Sequence, residues 1–104
     1  MWGGRPAKDW GAFHGGEMPY VFNAFALQDW AWRPIDLKLG DQVSSLWVNF
    51  AKTGSPGCPG LPEWPAFDAK TEILLIIGDV PKAGPAPNRL ALDLIDELPA
   101  PPRR

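Results

Sequence analysis

The chain of 104 residues contains one histidine, one cysteine and one tyrosine. A single cysteine excludes a disulfide within the chain and leaves the redox compartment open. A metal site needs three or four ligands, and His14 with Glu17 supplies two at most, so we expect no metal and no other cofactor. Cys58 lies in the turn-like segment "GSPGCPG" without acidifying neighbours, which favours a surface thiol over a nucleophile paired with His14.

Charge and hydropathy argue against two further classes of protein. The net charge of −2 and the pI near 5.2 disfavour a nucleic-acid partner, because phosphate binding needs a concentrated positive surface. No apolar run approaches the roughly 18 residues of a membrane span. The opening "MWGGRPAKDW" lacks the hydrophobic stretch of a signal peptide, so localisation stays unknown: cytoplasmic, or secreted or periplasmic if a leader precedes this sequence.

Proline, glycine and tryptophan are abundant, with 13, 11 and 6 residues. So much proline and glycine predicts many turns and extended connections between few regular elements. Large aromatic side chains need a substantial surface to pack against, and a chain of this length forms one domain at most. We therefore expect one side of a hydrophobic core whose other side lies elsewhere.

The clearest element is one long amphipathic helix. Its apolar residues trace a single face: Ile35, Leu39, Val43, Leu46, Trp47, Phe50 and Ala51. Pro34 suits a first helical position, Asp36 complements the helix dipole, and Gly54 is a natural C-terminal cap. Gly40 argues against this helix, because a glycine in a helix interior destabilises the helix by about 1 kcal/mol relative to alanine. The alternative is a helix that starts later, with Asp41 as N-cap. We favour the longer helix because the apolar stripe continues through Gly40.

The flanking segments predict less regular structure. Residues 1–19 are punctuated by glycine and proline and predict an irregular loop. Residues 20–27 fit either a helical turn or a strand, because periodicity does not decide between them. Residues 55–70 contain four prolines and predict an extended loop, which we expect to be held by three apolar side chains: Leu61, Trp64 and Phe67.

The C-terminal third predicts a strand, a loop and a short helix. Residues 72–77, "EILLII", form an apolar run of strand length, which is typical of a strand covered on both faces. The following "VPKAGPAPN" predicts a loop, so the strand has no predicted partner within the chain. Residues 88–98 predict a helix with Asn88 as N-cap and an aligned leucine row, and 99–104 a flexible tail. The aligned leucines are Leu90, Leu94 and Leu98.

The only histidine lies in "GAFHGGEMPYVF", residues 11–22. From these residues alone, a hydrogen-bonded loop histidine is the more economical interpretation, because lone histidines are poor evidence of catalysis. The segment, however, resembles the surroundings of the catalytic histidine in type-B carboxylesterases, the para-nitrobenzyl esterase branch of the cholinesterase-like α/β-hydrolases. The likeness continues in order and spacing through "DWAWRPID", "SSLWVNFAKTGSPG" and "GLPEWPAFDAKTEILLIIGD". It covers about residues 11–79, with departures at Ser55 and Gly57 that affect local turn geometry.

The resemblance implies an α/β class: a partial α/β-hydrolase domain over residues 1–104, corresponding to the C-terminal part of that fold. It implies that His14 is the general base of a Ser-acid-His triad acting on a small-molecule carboxylic ester. Gly15 and Gly16 fit this role because they permit a sharp turn that places the ring at a loop tip. No G-x-S-x-G elbow is present, so the nucleophile is expected in polypeptide outside these 104 residues.

Glu17 is an unsuitable triad acid, because α/β-hydrolases order their triad as serine, acid, histidine along the chain. Upstream of His14 the candidate is Asp9, which is too close in sequence to be persuasive. We expect Glu17 to brace the loop through hydrogen bonds, and Tyr20, Trp30 and Trp32 to be core or interface aromatics. For these three residues a substrate contact is the weaker alternative.

The expected partner is therefore the N-terminal part of an esterase, and the chain alone is expected to be inactive and of marginal stability. Two other classes remain open. One is a non-catalytic, esterase-like binding or adhesion protein, against which the presence of His14 argues. The other is a stand-alone Trp/Pro-rich interaction module, which predicts that both faces of residues 72–77 are covered within the chain.

Overall fold

The computed structural model describes residues 11–27 and 29–99. Helix α1 spans Met18–Val21, a 3-10 helix spans Phe25–Leu27, and the long helix α2 spans Pro34–Thr53. Strands β1, Ile73–Ile76, and β2, Lys82–Pro85, precede the last helix, α3, at Arg89–Asp96. The predictions for residues 1–10, Asp9 included, and for the tail at 100–104 lie outside the described residues.

Helix α2 follows the sequence prediction at both ends. Pro34 occupies its first turn, and the Asp36 carboxylate accepts the backbone N–H of Arg33 at 2.8 Å. Gly54 adopts the left-handed conformation, with φ of 75°, and its N–H donates to the Phe50 carbonyl at 2.8 Å. Such a residue ends a helix without strain when it lacks a Cβ. The alternative start at Asp41 is wrong.

The low helix propensity of glycine suggested that Gly40 would weaken α2, but the structure shows a packing reason for it. The Phe25 ring packs directly on it, and a Cβ at position 40 would collide with two ring atoms. Gly40 is itself buried, and the Asn23 side-chain oxygen would lie 3.1 Å from such a Cβ. The glycine therefore permits the segment at 23–27 to approach the helix, and this contact offsets its unfavourable propensity.

Strand β1 has a partner within the chain, contrary to our prediction. It pairs antiparallel with β2, so that Ile73 faces Pro85 and Ile76 faces Lys82. The "KAGP" of β2 has weak strand propensity, which is why the sequence indicated a loop. Pro85 is tolerated there because both strands of a two-stranded sheet are edge strands. Proline lacks a backbone N–H donor and is therefore found on edge strands and not in the middle of a sheet.

The expected burial of β1 on both faces is only partly met by the described residues. Leu75 is buried, whereas Ile73, Leu74 and Ile76 are half-buried and Ile77 is exposed. A stand-alone module predicts full coverage of this run within the chain. The observed exposure disfavours that alternative.

The hydrophobic core of the described residues is small, and α2 supplies most of it. Its buried apolar side chains are Phe25, Leu39, Val43, Leu46 and Leu75. The Cα radius of gyration is 16.5 Å, against about 13 Å for a compact domain of 100 residues. Many large apolar side chains of the described residues accordingly face solvent.

Among the described helices, none is long and apolar enough to cross a membrane.

Helix α3 has no buried residue, and its aligned leucines are exposed. It ends at Asp96, two residues before the predicted end. Asn88 precedes it as predicted, but with φ of 63° and without a side-chain capping bond, so the predicted capping interaction is wrong. An asparagine tolerates this left-handed conformation better than most residues, which explains its presence there.

The segment at 55–70 contains no helix or strand, as predicted. Leu61 and Trp64 are half-buried, and the Trp64 ring centroid lies 6.5 Å from that of Trp47. Phe67 is 66% exposed, so the prediction that it helps to hold this loop is wrong. Among the three expected side chains, the contact between this loop and α2 that the rings define is that of Trp64 with Trp47.

The Phe25–Gly40 contact predicts that Gly40→Ala destabilises the chain although alanine is the better helix former. Overpacking costs about 1–3 kcal/mol, and we expect the upper part of this range because the added Cβ would overlap two atoms of the Phe25 ring. That cost is larger than the roughly 1 kcal/mol gained in propensity. The measurement is the thermal midpoint of the loss of helical circular dichroism. Gly57→Ala is the control, because a Cβ there meets nothing within 4 Å. A higher midpoint for Gly40→Ala would contradict the proposed contact.

Candidate active site

His14 lies in a tight turn that glycine makes possible. The Gly16 N–H donates to the Phe13 carbonyl at 3.1 Å, and Gly15 has a φ of +79°. A Cβ at Gly16 would lie 3.2 Å from the Phe13 ring, closer than nearly all such contacts. The two glycines thus allow the chain to reverse here, and the His14 side chain is exposed on the turn.

Helix α1 follows this turn without a connecting residue. Glu17 precedes the helix, and its carbonyl accepts the N–H groups of Tyr20 and Val21 at 3.0 and 2.9 Å. The Glu17 side chain makes no capping bond, so it braces the segment through its backbone. Because the Met18 N–H also donates to the Gly15 carbonyl at 3.2 Å, the turn and the helix form one hydrogen-bonded unit.

An aromatic cluster packs α1 against the start of α2. The Tyr20 ring meets the rings of Phe25 and Trp32 edge-on, with centroids 5.3 and 6.0 Å apart, and the Phe25 and Trp32 centroids lie 4.8 Å apart. Trp30 lies 4.9 Å from Trp32, whose Nε1–H donates to the Phe25 carbonyl at 3.0 Å. These contacts confirm the prediction that Tyr20, Trp30 and Trp32 are packing aromatics. Edge-on geometry of this kind is the favourable one for aromatic pairs.

The Asp36 carboxylate, which the sequence predicted only to complement the helix dipole, is the centre of a larger network. It is 7% exposed and is the buried charged residue of the described chain. One oxygen accepts from the Tyr20 hydroxyl and from Arg33 Nη2, both at 3.1 Å. The other accepts from the Arg33 backbone N–H at 2.8 Å and from Arg33 Nε at 3.0 Å. Four donors satisfy the acceptor capacity of the carboxylate.

Arg33 extends this network to the end of β1. Its Nη1 and Nη2 donate to the two oxygens of Asp79 at 2.9 and 2.6 Å. Asp79 follows β1 by three positions in the chain and is exposed. The planar guanidinium fork matches both carboxylates at once, which a lysine cannot do. We call Tyr20, Asp36, Arg33 and Asp79 the Arg33 network.

The electrostatics of the Arg33 network follow from these contacts. Hydrogen bonds from Arg33 hold the pKa of Asp36 and the pKa of Asp79 below the usual 3.8, against the opposing effect of burial. Both carboxylates therefore stabilise the fold at neutral pH, and this contribution is lost as the pH falls through their lowered pKa values. Burial, and then the charge of Asp36, raise the pKa of Tyr20 from 10.0 to about 12.

A cavity of about 350 Å³ separates the His14 turn from the Arg33 network. Its walls come from the turn, α1, α2 and the end of β1: Gly11, Ala12, Phe13, Gly16, Glu17, Tyr20, Arg33, Asp36, Leu39, Val43, Ile77, Gly78 and Asp79. Neither Cys58 nor any of the three serines, at positions 44, 45 and 55, is among these described lining residues. His14 is also absent from these lining residues, so the cavity borders the turn that carries the imidazole but is not lined by the imidazole itself. The described walls of the cavity contain several charged groups and no serine or cysteine.

A second, apolar groove of about 710 Å³ lies between the C-terminal half of α2 and the 55–67 loop. Trp47, Phe50, Trp64 and Phe67 are its large lining side chains. Three of these four are at least 45% exposed, which is unusual for aromatic residues without a partner surface. Elsewhere in residues 11–27 and 29–99, no three His, Cys, Asp or Glu side chains are grouped so that they could hold a metal ion.

The Arg33 network was not predicted from the sequence, because its contacts to Tyr20 and to Asp79 join residues that are far apart in the chain. Arg33 and Asp36 are three residues apart at the start of a helix, a spacing that indicates local charge pairing. Asp79 lies 46 residues from Arg33, and no sequence pattern connects them. The Tyr20 hydroxyl gave no signal either, since an aromatic in an apolar segment indicates packing first.

Comparison with known proteins establishes the family to which the chain belongs. The profile of the Carboxylesterase family matches residues 1–93, and the chain belongs to this family. The family implies the α/β-hydrolase fold, of which the chain shows helices and a two-stranded sheet.

Three of the relatives that the chain matches are named carboxylesterases or esterases. Liver carboxylesterase B-1 of Rattus norvegicus is 42% identical over 72 residues, which are 69% of this chain and 12% of that protein. Liver carboxylesterase 1F of Rattus norvegicus is 41% identical over 63 residues, 61% of this chain and 11% of that protein. Cocaine esterase of Homo sapiens is 36% identical over 64 residues, again 61% and 11%. The matched region thus spans about one-eighth of the relatives' length or slightly less.

The Arg33 network predicts that Tyr20 ionises near pH 12 in the folded chain and near 10 when the chain is unfolded. Because the folded pKa is the higher one, its contribution to stability is complete below pH 10 and disappears as the pH rises through about 12. The chain has one tyrosine, so the near-ultraviolet absorbance of tyrosinate reports this group alone. Asp36→Asn should lower the pKa, whereas Asp93→Asn should not. A folded chain in which Tyr20 titrates at 10 would contradict the contact.

Proposed function

We propose that this chain is the C-terminal part of a serine carboxylesterase and that His14 is its general base. The chain would supply the imidazole, and the nucleophile and triad acid would come from polypeptide outside these 104 residues. Residues 1–104 would then form one partial α/β-hydrolase domain. The observation that carries the proposal is the placement of the single histidine on an exposed glycine turn in a chain of the carboxylesterase family.

The chemistry of the turn supports this role. An imidazole can serve as a general base: it takes the proton of an attacking hydroxyl and returns it to the departing alcohol. An exposed ring is accessible to a serine on an opposing segment, whereas a buried one would not be. A carboxylate on the other ring nitrogen would fix the tautomer. Glu17 is not proposed for this, since its backbone braces α1 and it follows His14 in the chain.

The exposed apolar surfaces support a missing partner surface within the same enzyme. The groove at Trp47 and Phe67, the half-covered β1 and the exposed leucines of α3 lie on separate parts of the chain. A parallel sheet with helices on both faces would cover such surfaces. We therefore propose that the remaining esterase polypeptide is the partner of this chain and that a small carboxylic ester is the substrate.

The test of this function is a hybrid in which residues 1–93, the span that the Carboxylesterase profile matches, replace the region of rat Liver carboxylesterase B-1 that corresponds to the same part of the profile. The hybrid should hydrolyse para-nitrophenyl acetate, and His14→Ala should lower kcat by about 10⁴-fold or more, because a triad without its base loses nearly all of its advantage. Added imidazole should restore part of the lost rate.

Lys38→Gln is the control for the hybrid, because Lys38 lies on the exposed side of α2, away from the cavity. It should leave kcat within about twofold of the parent hybrid. A folded hybrid without esterase activity, or a His14→Ala variant that keeps activity within tenfold of the parent, would contradict the assignment.

The isolated 104-residue chain is expected to hydrolyse para-nitrophenyl acetate no faster than free imidazole at the same concentration. Its described residues place no serine or cysteine at the cavity beside the His14 turn, and a base without a nucleophile accelerates no acyl transfer. The measurement is the release of para-nitrophenol at pH 7 and pH 8. Saturable hydrolysis that is abolished by a serine-directed organophosphate would show that the chain has a nucleophile of its own.

A further inference from the structure

We propose that the Arg33 network is a positioning device for His14: it fixes the His14 turn relative to α2 and the end of β1. The Tyr20 hydroxyl is the link through which it acts. This inference rests on the proposed function, because a fixed position matters when His14 must meet a nucleophile from another segment. None of the four residues would touch the reacting atoms, so all are positioning residues.

The first step is that α1 and the His14 turn move together. Backbone hydrogen bonds join Phe13 to Gly16, Gly15 to Met18, and Glu17 to Tyr20. These three bonds connect the turn that carries His14 to α1 along the six positions that follow the histidine. A displacement of Tyr20 is therefore transmitted to His14. Group transfer is sensitive to such displacements, since an error of about 1 Å can cost two orders of magnitude in rate.

The second step is that α1 cannot hold its own position. It has four residues, far fewer than the roughly 12 that an isolated helix needs for even marginal stability. Its position must come from tertiary contacts with α2. The Tyr20 hydroxyl makes a hydrogen bond of 3.1 Å to a buried, charged acceptor, which is directional in a way that ring packing is not.

The third step is that the acceptor is itself fixed. Asp36 receives three hydrogen bonds from Arg33, one from its backbone and two from its side chain. Arg33 in turn grips Asp79 with both terminal nitrogens. The network thus joins three elements that the chain separates, and its members face the same cavity as the His14 turn.

The chain contains a matched control for this device. Arg89 also bridges two carboxylates, pairing with Glu72 and with Asp93, the latter at 2.7 Å. It lies at the start of α3, and none of its contacts reaches α1 or the turn. Both arginines are similarly exposed, at 54% and 52% of their side chains. A general loss of surface ion pairing should therefore affect both alike, whereas a positioning effect should follow Arg33 alone.

The first experiment measures hydrogen exchange of backbone amides in the full 104-residue chain by nuclear magnetic resonance. Tyr20→Phe removes one hydroxyl and keeps the ring. It should raise the exchange rate of the Gly16 amide about tenfold or more, while amides in the middle of α2, such as Leu46, change less than twofold. Asp79→Asn should have a smaller effect in the same direction, and Arg89→Gln should have none.

Parallel acceleration at Gly16 and Leu46 would show that Tyr20 merely stabilises the fold and would overturn the proposal. No acceleration at Gly16 would overturn it as well. If Tyr20→Phe fails to fold, Asp79→Asn decides, because it alters the exposed end of the network and leaves the Tyr20–Asp36–Arg33 contacts in place.

The second experiment uses the esterase hybrid and separates the two hypotheses. Tyr20→Phe should lower kcat about tenfold with KM within about twofold, since the turn positions the base and does not bind the ester. An inactive hybrid combined with selective exchange at Gly16 would refute the proposed function and leave the network assignment standing. An active hybrid whose kcat is unchanged by Tyr20→Phe would refute the network assignment and leave the proposed function standing.

Discussion

The arrangement of α1 and α2 in the N-terminal half depends on the hydrogen bonds of the buried Asp36 carboxylate. A carboxylate at 7% exposure is tolerated only when its lone pairs are occupied, and four hydrogen bonds occupy them here. One donor comes from α1 and three from Arg33, which also pairs with Asp79 beyond β1. The start of α2 is consequently the point to which the preceding helix and the following strand are both attached.

The aromatic cluster and Gly40 supply the apolar counterpart of this attachment. Tyr20 belongs to both, because its ring packs on Phe25 while its hydroxyl reaches Asp36. Phe25 can occupy its position because residue 40 has no Cβ. A small residue in a helix interior thus determines how closely the segment before the helix can pack. The same tyrosine then orients α1, whose first residues continue directly from the His14 turn.

Local patterns in the sequence predicted the elements that local physics determines. The apolar stripe and the glycine at position 54 specified α2 to within its ends, and the glycine pair after His14 specified a turn. The pairing of β1 with β2 was not predictable in this way, because "KAGP" forms a strand through hydrogen bonds to its neighbour and not through propensity. The Arg33 network escaped prediction for a related reason: its contacts from Asp36 to Tyr20 and from Arg33 to Asp79 join residues 16 and 46 positions apart in the chain.

The candidate site shows the same division between local and distant information. His14 was identified from a twelve-residue segment, and family membership now supports the esterase context in which that segment was interpreted. What the segment could not reveal is how a turn followed by a four-residue helix would be held in place. Loops that carry functional groups need a rigid support, and the support that we propose for this turn is the Arg33 network on α2 and beyond β1. If His14 is the general base, as we propose, a turn without such support would sample many positions, and few of them would bring the imidazole to a serine on another segment.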